Sequence, residues 1–194
     1  MVRDLGLLAA RLTLGLGLAA HGAQKAFGWF EGAGPQGAAG MMESLGFKPG
    51  PTYATAASAN EITAGLLIAL GLGGPLGPAA VIANMSVAAR TVHLKNGFFA
   101  AKSGVELPLL YAVGALALAS SGYGALSFDH VLGLDERLRH PIITALALAG
   151  GIAAAETILA QRDFSPPDGT LATPTIKGEH NGHPAGTKPS PATS

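Results

Sequence analysis

Three residues that can exchange hydrogen bonds or protons stand on one helical turn near the start of this sequence. The stretch HGAQKAFGWF, directly after an uncharged apolar run, places His21, Gln24 and Lys25 at positions i, i+3 and i+4. Side chains at this spacing share one face of a helix. An imidazole, an amide and an ammonium group together can donate hydrogen bonds to an oxygen atom of a ligand. We therefore take His21, Gln24 and Lys25 as candidate ligand-binding residues.

Two opposite charges interrupt the apolar segments that follow. Glu61 lies near the middle of YATAASANEITAGLLIALGL, where the residues at helical spacing around it are small enough to let another helix approach closely. Arg90 lies near the end of the next apolar segment. Burying either charge without a partner is costly, so we expect an ion pair and take Glu61 and Arg90 as candidate catalytic residues. Three further candidate ligand-binding residues follow: His93, Asn96 and Glu106.

The composition limits the chemistry. Only 12% of the 194 residues are charged and the formal net charge is zero, so no excess of positive charge favours nucleic acid as a partner. The chain has no cysteine, which excludes disulfides, thiol redox chemistry, iron–sulfur clusters and cysteine-ligated zinc. His180 and His183 stand close together near the C-terminus but make only a weak metal site. We therefore expect no metal centre.

Long apolar segments with hardly any internal charge dominate the chain. Each approaches the roughly 20 residues that an α-helix needs to cross a bilayer. Five such segments favour an integral membrane protein over a soluble helical one, and they favour a retained first helix over a cleaved signal peptide. The segments cover residues 5–27, 53–72, 76–94, 105–121 and 141–160.

We predict an all-α fold in three parts. Residues 1–128 form a four-helix membrane bundle, residues 129–162 form a connection and a fifth transmembrane helix, and residues 163–194 form a disordered tail rich in proline, serine, threonine and glycine. In an up-and-down bundle the candidate residues meet at one membrane face and line a polar pocket. The opposite face, which carries GGPLGP, has no comparable cluster in the sequence, and Arg11 is expected to extend to the interface there.

These segments also carry a family resemblance. The order of RLTLGLGLAAHGAQKAFGWF, NEITAGLLIALG and ARTVHLKNGFFAAKSGVELPLLYA resembles the DoxX family of bacterial membrane proteins over residues 5–128. The matching features are the His-Gly-x-Gln-Lys group at 21–25, Glu61, and His-x-x-Asn-Gly-Phe at 93–98 followed by Glu106. The resemblance implies a multi-pass protein of the bacterial plasma membrane, related to the DoxD subunit of a thiosulfate:quinone oxidoreductase and linked to redox metabolism. It fixes no reaction, so whether the chain is an enzyme stays open.

The favoured hypothesis is a membrane subunit that binds a quinone or quinol. The candidate donors would hold the ligand oxygen atoms, and Glu61 would hold or relay a proton. We expect no covalently bound cofactor, and no Gly-x-Gly-x-x-Gly motif opens a helix after a strand, so electrons would come from a soluble or membrane redox partner protein. Two alternatives stay open: a non-catalytic scaffold in the lipid bilayer that docks soluble redox enzymes, and a small-molecule carrier that uses the same pocket.

Removal of residues 165–194 should leave membrane insertion and folding intact, because a segment with so few apolar residues cannot bury enough surface to order itself. The measurement is the yield and the thermal unfolding temperature of the truncated protein in detergent, with the full chain as reference. A loss of folded protein after truncation would show that the segment contributes to the fold.

Overall fold

The structure of the protein, a computed structural model, describes residues 1–165. All regular secondary structure in this part of the chain is helical, as expected. The tail predicted at residues 163–194 lies outside the described residues, apart from its first three positions. The α-helices are α1 (Val2–Phe27), α2 (Gly34–Ser44), α3 (Gly50–Leu70), α4 (Leu76–Ala88), α5 (Glu106–Ser121), α6 (Phe128–Val131), α7 (Asp135–Leu138) and α8 (Pro141–Ala160).

Each apolar segment of the sequence forms one long helix, but the third segment is divided. α4 ends at Ala88 and continues as a π-helical turn, Ala89–His93, and a 3-10 turn, Leu94–Asn96. Among the described residues, α1 and α8 are long and apolar enough to cross a membrane, and α5 is apolar but has only 16 residues. By length and composition alone, therefore, two helices within residues 1–165 meet the criterion for a membrane span.

α1 and α3 pack so closely that their backbones touch at two levels. A Cβ added at Gly15 would overlap the carbonyl oxygen of Gly65, and a Cβ added at Gly22 would lie 2.8 Å from the carbonyl oxygen of Ser58. The contact nearer the C-terminus of α1 is the one nearer the N-terminus of α3, so the two helices are antiparallel. The small residues recur every seven positions on both helices, and this spacing keeps them on one face.

The other helices surround this pair. α2 lies against α3 and α1, α4 packs on α3 and α5, and α8 packs mainly on α4, where Gly151 meets the carbonyl oxygen of Ala79. α1 meets α5 much more lightly than it meets α3. The apolar core lies between α1, α3, α4 and α5, and its largest fully buried aliphatic side chains are Leu18, Ile68 and Val81.

Arg11 does not extend to the interface, contrary to the expectation from the sequence. Its side chain is only 1% exposed, and its guanidinium donates to the carbonyl oxygens of Leu126 at 2.6 Å and Leu70 at 3.4 Å. Leu70 is the last residue of α3, where the carbonyl groups lack intrahelical donors. The buried arginine therefore caps α3 and ties it to the chain that follows α5.

Polar residues near Arg11 form a second buried group that the sequence did not predict. The Arg11 guanidinium lies 5.8 Å from the centre of the Tyr123 ring, and the buried Asp129 carboxylate accepts from the backbone N–H groups of Gly73 and Gly74 at 2.9 and 2.7 Å. Burial raises the pKa of the Tyr123 hydroxyl, and the nearby Asp129 charge raises it further. We call Arg11, Tyr123 and Asp129 the Arg11 cluster; it closes the GGPLGP end of the bundle.

Replacement of Gly15 by alanine should destabilise the fold, because the new Cβ meets the α3 backbone rather than a movable side chain. Overpacking of this kind costs about 1–3 kcal/mol. Gly6, on the same helix, has nothing within 4 Å of an added Cβ, so Gly6→Ala should be neutral or slightly stabilising through its higher helix propensity. Thermal unfolding in detergent, followed by circular dichroism, compares the two; equal unfolding temperatures would contradict the close contact of α1 with α3.

Candidate functional site

A buried carboxylate lies inside the bundle, in the middle of α3. Glu61, on α3, is 4% exposed. Its Oε1 accepts from the Lys25 ammonium group on α1 at 2.5 Å and from the Asn84 amide on α4 at 2.8 Å. Three helices thus contribute one polar side chain each, and we call Lys25, Glu61 and Asn84 the Glu61 cluster. The close contact of α1 with α3 is what brings Lys25 within reach of Glu61.

The second oxygen of the Glu61 carboxylate receives no hydrogen bond from residues 1–165. This atom, Oε2, is buried. An ionised carboxylate carries lone pairs on both oxygens, and a buried acceptor without a donor is energetically unfavourable. The Oε2 atom can accept a hydrogen bond from an incoming hydroxyl group, or it can carry a proton when the carboxyl group is neutral.

The prediction of an ion pair between Glu61 and Arg90 is wrong. Arg90 instead pairs with Glu156 on α8 at 2.5 Å, and the two side chains are 49% and 52% exposed. Arg90 lies in the π-helical turn after α4. The prediction assumed that both charges are buried, whereas the Arg90 side chain is half exposed and meets a half-exposed carboxylate on α8. Arg90 therefore needs no partner inside the bundle, and Glu61 pairs with Lys25.

His21 and Gln24 form a hydrogen-bonded pair beside the cluster. The His21 Nδ1–H group donates to the Gln24 side-chain oxygen at 3.2 Å, and the Gln24 amide donates to the carbonyl oxygen of Phe30 at 3.4 Å. In the neutral histidine this leaves Nε2 as an acceptor. Phe30 and Glu31 have left-handed backbone conformations, with φ of 52° and 59°. Gln24 therefore links His21 to a strained turn at the end of α1.

The remaining candidates hold a loop rather than contact Glu61. His93 Nδ1–H donates to the carbonyl oxygen of Ser103 at 2.7 Å, and the Asn96 amide donates to the same oxygen at 3.3 Å. Glu106 accepts from the backbone N–H of Ala100 at 2.8 Å. These bonds close the loop between the π-helical turn and α5. The structure brings His21, Gln24, Lys25 and Glu61 to one region and gives His93, Asn96 and Glu106 a different set of partners.

Two residues near Glu61 were not predicted from the sequence. Asn84 lies within an apolar segment, and a polar amide at such a position is a signal that could have been used. Tyr111, on α5, meets the His21 ring edge-on with the centroids 6.2 Å apart, and a Cβ at Gly17 would lie 2.8 Å from its hydroxyl oxygen. Nothing in the local sequence marks Tyr111, because its place depends on how α5 packs against α1.

The arrangement suits a neutral, oxygen-bearing ligand. Lys25 is a donor whose side chain is 31% exposed, so it is accessible from the end of the bundle. Glu61 offers an acceptor or a proton, and Tyr111 offers a hydroxyl group. Within residues 1–165, no three histidine or acidic side chains come together in a way that could hold a metal ion.

Comparison with known proteins identifies one family. A family model described as DoxX matches residues 6–94. No curated protein and no solved structure matches the chain. The matched range contains the whole Glu61 cluster, together with His21, Gln24, Arg90 and His93, and ends before Asn96 and Glu106.

Loss of the Lys25 charge should destabilise the protein more than loss of the Arg90 charge. Lys25→Met leaves the buried Glu61 carboxylate without a cation, which typically costs about 3–5 kcal/mol. Arg90→Met breaks a half-exposed pair and should cost less than about 1 kcal/mol. A Lys25→Met/Glu61→Gln double variant should recover most of the loss, because the glutamine oxygen still accepts from Asn84 while the charge is gone. Thermal unfolding in detergent measures the stability of all three variants. Equal losses of stability in Lys25→Met and Arg90→Met would contradict the assigned pairing.

Proposed function

Because its residues 6–94 make this chain a DoxX-family membrane protein, we propose that it is a multi-pass subunit of the bacterial plasma membrane that binds a quinone or quinol and serves a redox partner protein. The ligand head group lies against the Glu61 cluster. The electrons come from the partner, and this chain binds the ligand, orients it and holds a proton beside it. His21 and Gln24 shape the same site.

The proposed membrane arrangement has four spans in the bundle and α8 as a fifth. α1 and α8 meet the criterion of length and apolarity. α3 has 21 residues, which is about 31 Å of helix and matches the thickness of the hydrocarbon core. Its one charge, Glu61, has a cationic partner inside the bundle. Exposed aliphatic side chains on the outer surfaces of the helices suit contact with lipid: Leu16, Leu66, Leu116 and Leu146.

The free Oε2 atom of Glu61 is the observation that carries this proposal. A quinol hydroxyl group is a donor, and Oε2 is a buried acceptor that receives no hydrogen bond from residues 1–165. A quinone carbonyl group is an acceptor, and it can receive a hydrogen bond from Lys25 or from a protonated Glu61. One carboxyl group that changes its protonation state can therefore bind both redox forms of the same ligand.

Proton supply follows from the same geometry. Reduction of a quinone to a quinol requires two electrons and two protons. Glu61 in its neutral form can give one proton to a ligand oxygen, and the Lys25 charge then stabilises the carboxylate that remains; the second proton comes from the aqueous phase. Lys25 is partly exposed, so the cluster can exchange protons with the aqueous phase at this end of the bundle. Arg90, which pairs with Glu156, has no role in this proposal.

Replacement of Glu61 by glutamine should shift the ligand preference from quinol to quinone. The glutamine NH₂ group replaces an acceptor by a donor, so quinol loses a charge-assisted hydrogen bond of about 1.5–3 kcal/mol, which is roughly ten- to hundredfold in Kd. Quinone binding should be retained. The measurement is the saturable quenching of Trp29, the one tryptophan of the chain, by a decyl-benzoquinone and by its quinol.

Glu156→Gln is the matched control, because Glu156 is a half-exposed carboxylate with an arginine partner outside the cluster. It should leave both affinities unchanged. Extraction of quinone from the purified wild-type protein provides an independent readout. A protein that neither retains quinone nor binds the added compounds would contradict the proposal and favour a scaffold or a carrier of another solute.

A further inference from the structure

A groove separates α1 from α5 on the outer surface of the bundle. Its volume is about 500 Å³, which is in the usual range for small-molecule sites. The groove exists because α1 packs tightly on α3 and only lightly on α5. Its walls are small or aliphatic apart from two hydroxyl groups, and they include Ala9, Ala10, Thr13, Leu107, Leu110 and Tyr111.

The groove opens sideways, at the depth of the hydrocarbon core. On α1 it covers positions 9 to 14, which lie about 10 Å of helix from the start of α1 and about 20 Å from its end. Ala10 is exposed on one wall, and Leu110 is 62% exposed on the other. In a protein that spans the membrane, such an opening faces lipid chains rather than water.

Tyr111 joins the groove to the functional site. Its side chain lines the groove, while its ring meets His21 edge-on and its hydroxyl group lies over Gly17. Tyr111 is also close enough to Glu61 for the two groups to interact electrostatically. The apolar groove therefore has a polar inner end, and this end is directed to the Glu61 cluster.

We propose that this groove is the lateral entrance and the chain-binding site for an isoprenoid quinone, an inference that rests on the proposed function. The apolar walls hold the isoprenoid chain, and the Tyr111 hydroxyl donates to a head-group oxygen. The groove and the cluster together match a molecule with a long hydrocarbon chain and a small head group that both donates and accepts hydrogen bonds. The ligand enters from the bilayer, without passing through the aqueous phase.

Two substitutions distinguish the contribution of the groove to ligand binding from that of the head-group site. Ala10→Phe fills the groove, and it should weaken binding of the decyl-benzoquinone by about tenfold, as expected for about two methylene groups that are no longer buried. The same variant should bind the benzoquinone without a decyl chain as the wild type does. Tyr111→Phe removes only the hydroxyl group, and it should weaken both compounds by about fivefold. Quenching of Trp29 gives all the dissociation constants.

Leu146→Phe is the matched control, because Leu146 is an exposed apolar residue on α8, away from the groove. It should leave the dissociation constants of both benzoquinones unchanged. If Ala10→Phe weakens both compounds equally or neither of them, the groove does not bind the chain, although quinone binding itself stands. If Ala10→Phe instead lowers the amount of retained phospholipid and leaves the decyl compound unaffected, the occupant is a phospholipid and the inference is wrong. If the wild type binds neither quinone, both the inference and the proposed function are wrong.

Discussion

The backbone contact between α1 and α3 is the constraint on which the rest of the structure depends. Gly15 and Gly65 let the two helices approach until their main chains touch, and Gly22 and Ser58 repeat the contact seven residues away. In a lipid environment hydrophobic burial does little to bring helices together, so close packing of small residues must do so. The same contact places Lys25 next to Glu61. Because α1 packs closely on α3 and only lightly on α5, a groove remains between α1 and α5.

The buried charges of the two clusters have different kinds of partner. Arg11 is matched by carbonyl oxygens, including one at the C-terminus of α3, and the nearby Asp129 binds two backbone N–H groups. These bonds fix loops to helix ends, as a structural role requires. Glu61 is met by side chains of two other helices, and its Oε2 atom accepts no hydrogen bond from residues 1–165. The Arg11 cluster also has two buried atoms without a hydrogen bond from these residues, Arg11 Nε and the Tyr123 hydroxyl. What distinguishes Glu61 is therefore its partly exposed side-chain partner Lys25, through which the cluster is accessible from outside.

The match to the DoxX family model and the geometry of the site agree at a coarse level. The family match identifies a membrane protein, and it covers every member of the Glu61 cluster. The polar groups near Glu61 come from α1, α3, α4 and α5, so the site exists only in the assembled bundle.

The sequence by itself determined the helical class and the positions of the long helices, and it predicted His21, Gln24, Lys25 and Glu61 as candidate site residues, because apolar periodicity and the cost of buried charge are local properties. It could not determine which charges meet. The partner of Glu61 depends on the α1–α3 contact, and the partner of Arg90 depends on where α8 packs against α4. Asn84, Tyr111 and the Arg11 cluster likewise gained their roles only from neighbours distant in the chain. Tertiary packing decided the site, because side chains from four helices converge there.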